Sequence, residues 1–170
     1  MNKNEIIHAL NVTHLYFWDN VAKISSEYLN VSMNGKWSVA QNVDHINKSL
    51  VQFKRYLLLP KSKINSLFGL SNRSSISNVE LISNYQKVLS NGAKATSLFI
   101  PESKTDYDIN QLIAEGRALL EDLNIAVQDW EEEDFDNCNC PNPLLGMITA
   151  KEMFYFSIFH VKHHLKIISN

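Results

Sequence analysis

Six histidines, at positions 8, 14, 45, 160, 163 and 164, are the side chains of this sequence best suited to proton transfer or metal binding near neutral pH. Three of them crowd into five residues near the end of the chain. On a helix, which turns ~100° per residue, His160 and His164 lie one turn apart and project from the same side, so both imidazoles can reach one ion. His163 stands three residues from His160 but is turned further round, toward solvent or a partner. His45 sits ~120° from the centre of the apolar stripe on its own helix, a flank position near Asn42, Ser49 and Tyr56 that suits a side chain facing a groove. From there it can act as a third ligand. Three imidazoles on one divalent ion leave coordination positions open for water or substrate. An H-x-x-x-H pair on its own is a weak signal, and helix histidines with no ligand are the plain alternative. His14 flanks the apolar face of the first helix and is expected to be packed and hydrogen-bonded; His8 is expected to be exposed.

The remaining candidates carry less. Cys138 and Cys140 are too close for an unstrained disulfide, and no second cysteine pair completes a four-sulfur metal site, so both are read as reduced thiols in a loop. Asp44, Glu152, Tyr56 and Asn42 are the groups available for acid or base assistance. Asp44 points ~100° away from its neighbour His45, and Glu152 is expected to be taken up in a helix cap. No general base is assigned.

Four long amphipathic segments must position these residues. The first spans about Asn4 to Tyr28, with Ile6, Leu10, Phe17, Val21 and Ile24 on one face. The second opens at Ser38, where Ser38 and Gln41 form a capping box, and runs through Val43, Ile46, Leu50 and Phe53 to the stop before Pro60. The third covers about Ile109 to Trp130 with Leu112, Leu120, Leu123 and Val127 inward. The last begins at a second capping box, Thr149 with Glu152, and reaches about Ile168. Such faces bury one another in an all-α four-helix bundle, here one domain over residues 1–170. Asn34-Gly35 breaks the chain between the first two segments. The long connection from Pro60 to Asp108 carries one short helix, about Val79 to Leu89, ended by Asn91-Gly92. Glu131 to Asp134 reads as a solvated acidic turn. Trp37, just before the Ser38 cap, is placed to pack onto the first turns of the second helix.

Sixteen Lys and Arg against eighteen Asp and Glu give a net charge of −2, without the basic stripe of a nucleic-acid binder. No stretch approaches the ~18–20 apolar residues of a membrane span, and the polar N-terminus does not resemble a signal peptide, so a cytoplasmic location is expected. The last segment carries Tyr155, Phe156, Ile158 and Phe159 in addition to its main apolar face. That surface requires cover, either from the 60–108 connection or from a homodimer seam.

Gly35-Lys36-Trp37-Ser38 through Gln41 to His45 is similar to the W-S-x-x-[EQ]-x-x-x-H segment of the DinB-like superfamily, which includes the YfiT-type proteins. Pro143-Leu144-Leu145-Gly146 with Thr149 and Glu152, followed by His160 and His164, resembles that family's final loop and helix, in the same order. The resemblance implies a four-helix bundle holding a divalent metal, often nickel or zinc, on three histidines, here His45, His160 and His164. It further implies a small-molecule substrate and, in some relatives, a thiol-dependent transferase or isomerase using a low-molecular-weight thiol such as bacillithiol, mycothiol or glutathione. Other relatives look like metal-dependent hydrolases. One departure is that many relatives carry a histidine where this chain has Asn142. Two functions are therefore carried forward. The first is a metalloenzyme whose ion activates water or a thiol. The other is a non-catalytic, stress-associated bundle that binds metal or ligand.

Overall fold

Four capping devices set where the long helices begin. In the computed structural model, which describes residues 1–32 and 35–169, α1 (Lys3–Val21) starts at an Asn2–Glu5 capping box. α3 (Val39–Leu57) starts at the expected Ser38–Gln41 box, and α8 (Ala150–Ile168) at the expected Thr149–Glu152 box. α6 (Ile109–Ala126) is capped by Asp108, whose carboxylate accepts from the amides of Asn110 and Gln111. Each cap satisfies backbone donors that the first helical turn leaves without partners.

The four pack as a ring in which α3 lies against α6 and α8, and α1 against the same two. Their apolar faces meet in one continuous core that includes Ile6, Leu10, Phe17, Val43, Ile46, Leu50, Leu123, Phe154 and Val161. This is the expected bundle. The tightest approach is at Gly116 of α6, where an added Cβ would stand 2.5 Å from the Trp18 ring and 2.6 Å from Asn47 Oδ1. Alanine has the better helix propensity by ~1 kcal/mol, yet overpacking against an indole costs ~1–3 kcal/mol. Gly116→Ala is therefore expected to lower stability by up to about 2 kcal/mol, read as a lower urea midpoint with an unchanged slope.

Several elements differ from the sequence reading. The first helix ends at Val21, and a separate turn, α2 (Ser26–Leu29), follows. The stripe of α1 would carry Tyr28 inward, but the chain buries Leu29 and leaves Tyr28 exposed, which requires the break. Asn34 lies outside the described residues; Gly35 has a left-handed φ of 70°. α6 stops four residues before Trp130, whose buried indole turns back to donate to the Leu57 carbonyl at 3.3 Å. The acidic run is largely solvent-exposed, as expected, but it is helical rather than a turn. Its backbone forms α7 (Glu132–Asn137), with three carboxylates in the first turn where the helix dipole favours them and with Phe135 fully buried against Phe154.

The connection after α3 holds α4 (Lys61–Phe68) and α5 (Asn78–Ser90), then a single 3-10 turn at Ser97–Phe99. α5 is the expected short helix. It also supplies cover for the outer face of α8, with the Tyr85 ring set edge-on against Phe156, Phe159, His160 and His163. The Cys138–Cys140 segment is not a loop but leads into a hairpin, β1 (Asn139–Asn142) with β2 (Gly146–Thr149), paired antiparallel. Asn142 Oδ1 accepts from the amides of Leu144 and Leu145, both at 3.0 Å, which shapes the turn, and Gly146 takes a φ of 74° beyond it.

Candidate metal centre

α3 and α8 cross so that His45, His160 and His164 meet in the interior. The three rings form a near-equilateral cluster, with centroids 4.7 to 4.9 Å apart, and all three side chains are buried. His160 Nε2 lies 3.1 Å from Nε2 of His45 and 3.1 Å from Nε2 of His164. Ligand nitrogens on one tetrahedral ion stand about 3.3 Å apart when each bond is ~2.0–2.1 Å, so the spacing fits a shared cation.

The far side of two rings fixes their tautomers. His45 Nδ1 is 2.6 Å from the Phe99 carbonyl, which can only accept, so this nitrogen carries the proton. The Asn42 amide spends its nitrogen on the carbonyls of Trp37 and Ser38, at 3.2 and 2.8 Å. Its oxygen is thereby turned to His164 Nδ1, 2.6 Å away, which must donate as well. Both Nε2 atoms therefore present lone pairs toward His160 Nε2. A single proton on His160 can satisfy one of them well and not both. A divalent cation satisfies all three, and the donor set of neutral imidazoles is one that a metal ion accepts.

Electrostatics keep the rings in that neutral form. Burial pushes the pKa of His160 and of His164 well below the ordinary imidazole value, and the neighbouring imidazoles push in the same direction. Burial lowers His45 too, against the Phe99 carbonyl and the charge of Asp44, which favour its protonated form.

The carbonyl that holds His45 comes from a strap, residues 97–102, tied to one stretch of α3. Lys48 donates to the Ile100 carbonyl at 2.9 Å, and Asp44 accepts from the Glu102 amide and the Tyr107 hydroxyl, both at 3.0 Å. Asp44 thus points away from His45, as its helical offset requires, and reaches it through the strap. Removing an outer hydrogen-bond partner of a metal-binding histidine costs ~10–100-fold in metal affinity. Asn42→Leu is expected to fall in that range for zinc in a chelator competition titration, while the helical signal in circular dichroism stays unchanged.

The other candidates separate cleanly. His163 lines the neighbouring cavity but contributes no nitrogen to the cluster. His14 is buried elsewhere, donates from Nδ1 to the Leu10 carbonyl at 2.8 Å, and is pushed down to about 4 by burial. His8 is exposed. Cys138 and Cys140 are free and buried; burial pushes both thiols up, and neither joins a group of metal-binding side chains among the described residues. Tyr56 donates its hydroxyl to the Asn139 carbonyl at 3.1 Å. Glu152 is taken up by its cap and, beyond what the sequence showed, by Arg73. Trp37, the residue before the Ser38 cap, has its indole 4.9 Å from the His45 ring and nearly parallel to His164, forming a wall of the site. Phe99 and its strap left no signal in the sequence, because the contact joins residues 54 apart through a backbone atom.

The cluster opens on a cavity of about 660 Å3 whose surface is predominantly apolar, walled by α3, α5, α8, the strap and the hairpin. Its size is within the range of small-molecule sites. A family model for the DinB superfamily matches residues 11–168. The chain belongs to the DinB superfamily. The match spans both histidine-bearing helices, and superfamily membership together with the three-histidine cluster agrees with a protein that can bind a metal ion. A search of curated proteins returns no match. No helix among the described residues of this DinB-superfamily protein is long and apolar enough to cross a membrane.

Proposed function

We propose that the protein is a divalent-metal-dependent enzyme that holds its ion on His45, His160 and His164 and acts on a small molecule bound in the adjoining cavity. The observation that carries this reading is the convergence of three imidazole Nε2 atoms, two of them locked as lone-pair donors, at one end of a cavity of ligand size. Imidazole ligands suit zinc or nickel. When bound, such an ion supplies a nucleophile at neutral pH, by acidifying coordinated water or by holding a small thiol as its thiolate.

The protein's own part is positional. The Phe99 carbonyl and Asn42 hold two rings in register, Trp37 and Tyr85 wall the cluster, and the apolar lining keeps bulk water from a bound substrate. A thiol-dependent S-transferase fits these features better than a reaction needing a protein nucleophile. Both cysteines are buried with raised pKa values, so a reacting sulfur has to arrive with a cofactor. Hydrolysis through activated water is the second reading, favoured by the positions that three protein ligands leave free.

The test is a purification without a histidine tag, metal analysis, and parallel assays with zinc or nickel. One arm pairs low-molecular-weight thiols with electrophiles; the other offers esters and amides. Metal-dependent turnover in either arm, lost in His45→Ala, supports the proposal and selects the reaction class. Stoichiometric metal with no turnover in any arm would leave a binding protein and contradict the enzyme.

A further inference from the structure

The histidine cluster fills one end of the cavity, and the far end carries a charge for which the metal centre has no use. Among the described residues that line the cavity, Arg55 is the single Lys, Arg, Asp or Glu. The chain has three arginines. Arg73 is bonded to Glu152 and Arg117 to Asp19, whereas Arg55 has no carboxylate within ion-pair distance among the described residues. Its nearest polar contact is Gln52 Oε1, 3.4 Å from Nη1. Arg55 stands exposed, ten residues along α3 from the buried His45, a rise of about 15 Å along the helix axis. The lining is mostly apolar, with Phe53, Tyr56, Phe68, Leu144 and Met153 among its side chains, and the neutral Ser49 and Gln52 of α3 lie between His45 and Arg55.

We propose that this cavity selects an elongated molecule with an apolar body and a carboxylate at one end, the carboxylate pairing with Arg55 and the opposite end delivered to the three histidines. Which end reacts rests on the metal-centre reading above; the charge preference does not. A guanidinium is planar, permanently charged and weakly hydrated, and its fork matches a carboxylate. At the mouth of an apolar cavity free of acidic side chains, its field favours an anionic end and opposes a cationic one. The apolar wall supplies affinity without regard to charge, so the arginine sets selectivity.

The experiment is calorimetric titration of decanoate, decanol and decylamine into wild type and Arg55→Gln, each in a chelator-treated and a zinc-supplemented form. Decanoate is expected to bind wild type about five- to tenfold more tightly than decanol in both forms, and decylamine most weakly. In Arg55→Gln decanoate and decanol are expected to agree within about twofold, with decanol unchanged from wild type. Arg55 is exposed, so the variant should fold, and a matching thermal melt confirms it. Three results would overturn the proposal: no binding of any probe, a decanoate preference that survives Arg55→Gln, or a preference present only with zinc, which would put the carboxylate on the ion. Failure of zinc to load contradicts the metal centre alone and leaves the chelator-treated comparison fully readable.

Discussion

Replacing His160 by alanine is expected to weaken zinc or nickel binding by more than about a hundredfold, beyond the ~10–100-fold typical of losing an outer partner. His160 is the central donor, with its Nε2 3.1 Å from each of the other two. Without it the cluster would keep only two imidazoles, on different helices, and lose the one that stands between them. The same variant should lose the rise in melting temperature that metal gives to wild type, because an ion that binds the folded state stabilises it in proportion to log affinity. Binding should also depend on pH in a defined direction. Protons compete with metal for the imidazole lone pairs, but burial has lowered all three pKa values, so affinity should hold down to about pH 6.5 and decline only below the range where an exposed imidazole already protonates. Competition titrations across pH read both effects. Near-wild-type affinity in His160→Ala would mean that the ion binds elsewhere.

Glu152→Ala is expected to cost about 3 kcal/mol of stability, a fall in melting temperature of roughly 10 °C for a chain of this length. Glu152 is fully buried, and its carboxylate accepts from Arg73 at 2.5 and 2.8 Å and from the amides of Ile76 and Thr149 at 2.7 and 2.9 Å. It therefore caps α8 and pins the 71–76 segment that leads into α5, the helix lying over the histidines. Alanine leaves two backbone donors without their acceptor. Arg73→Ala should cost less, about 1–2 kcal/mol, since Arg73 is 42 % exposed and water screens the pair. Burial alone would raise the Glu152 pKa, but hydrogen bonds from Arg73, Ile76 and Thr149, with the charge of Arg73, bring it below the usual carboxylate value. A depressed pKa means that this contribution is complete above about pH 4.5 and lost as pH falls through the folded-state value. Glu152→Gln should flatten that acid limb of the stability curve; an unchanged limb would assign the effect to other groups.

The parts of the molecule that could be read from sequence are those governed by local rules. Ser38 with Gln41 and Thr149 with Glu152 are capping boxes whose partners lie three residues apart, and both form as expected. The stripe Val43, Ile46, Leu50, Phe53 faces the core because its period is that of a helix. His160 and His164 share a face for the same reason. What could not be read depends on tertiary contacts. Phe135 gives an acidic segment one buried anchor, enough to make it a helix. The hairpin after Cys138 has only four residues per strand, too short for alternation to stand out, and Pro141 within it argues against a strand. Arg73 sits in a Ser-rich loop and looks like surface until Glu152, 79 residues away, is placed beside it. The tautomers of His45 and His164 are set by a distant carbonyl and by an amide whose orientation follows from two further carbonyls. Ligand spacing shows which histidines can meet. It does not show which nitrogen each one offers.

Anomalous diffraction from crystals of the zinc- or nickel-supplemented protein, recorded at the absorption edge of the added metal, tests the central claim most directly. One strong peak is expected between the three rings, about 2.0–2.1 Å from Nε2 of His45, His160 and His164, with the Nδ1 atoms of His45 and His164 still facing Phe99 and Asn42. A map with no peak there, or with the ion held through Nδ1 or at Cys138 and Cys140, would contradict it.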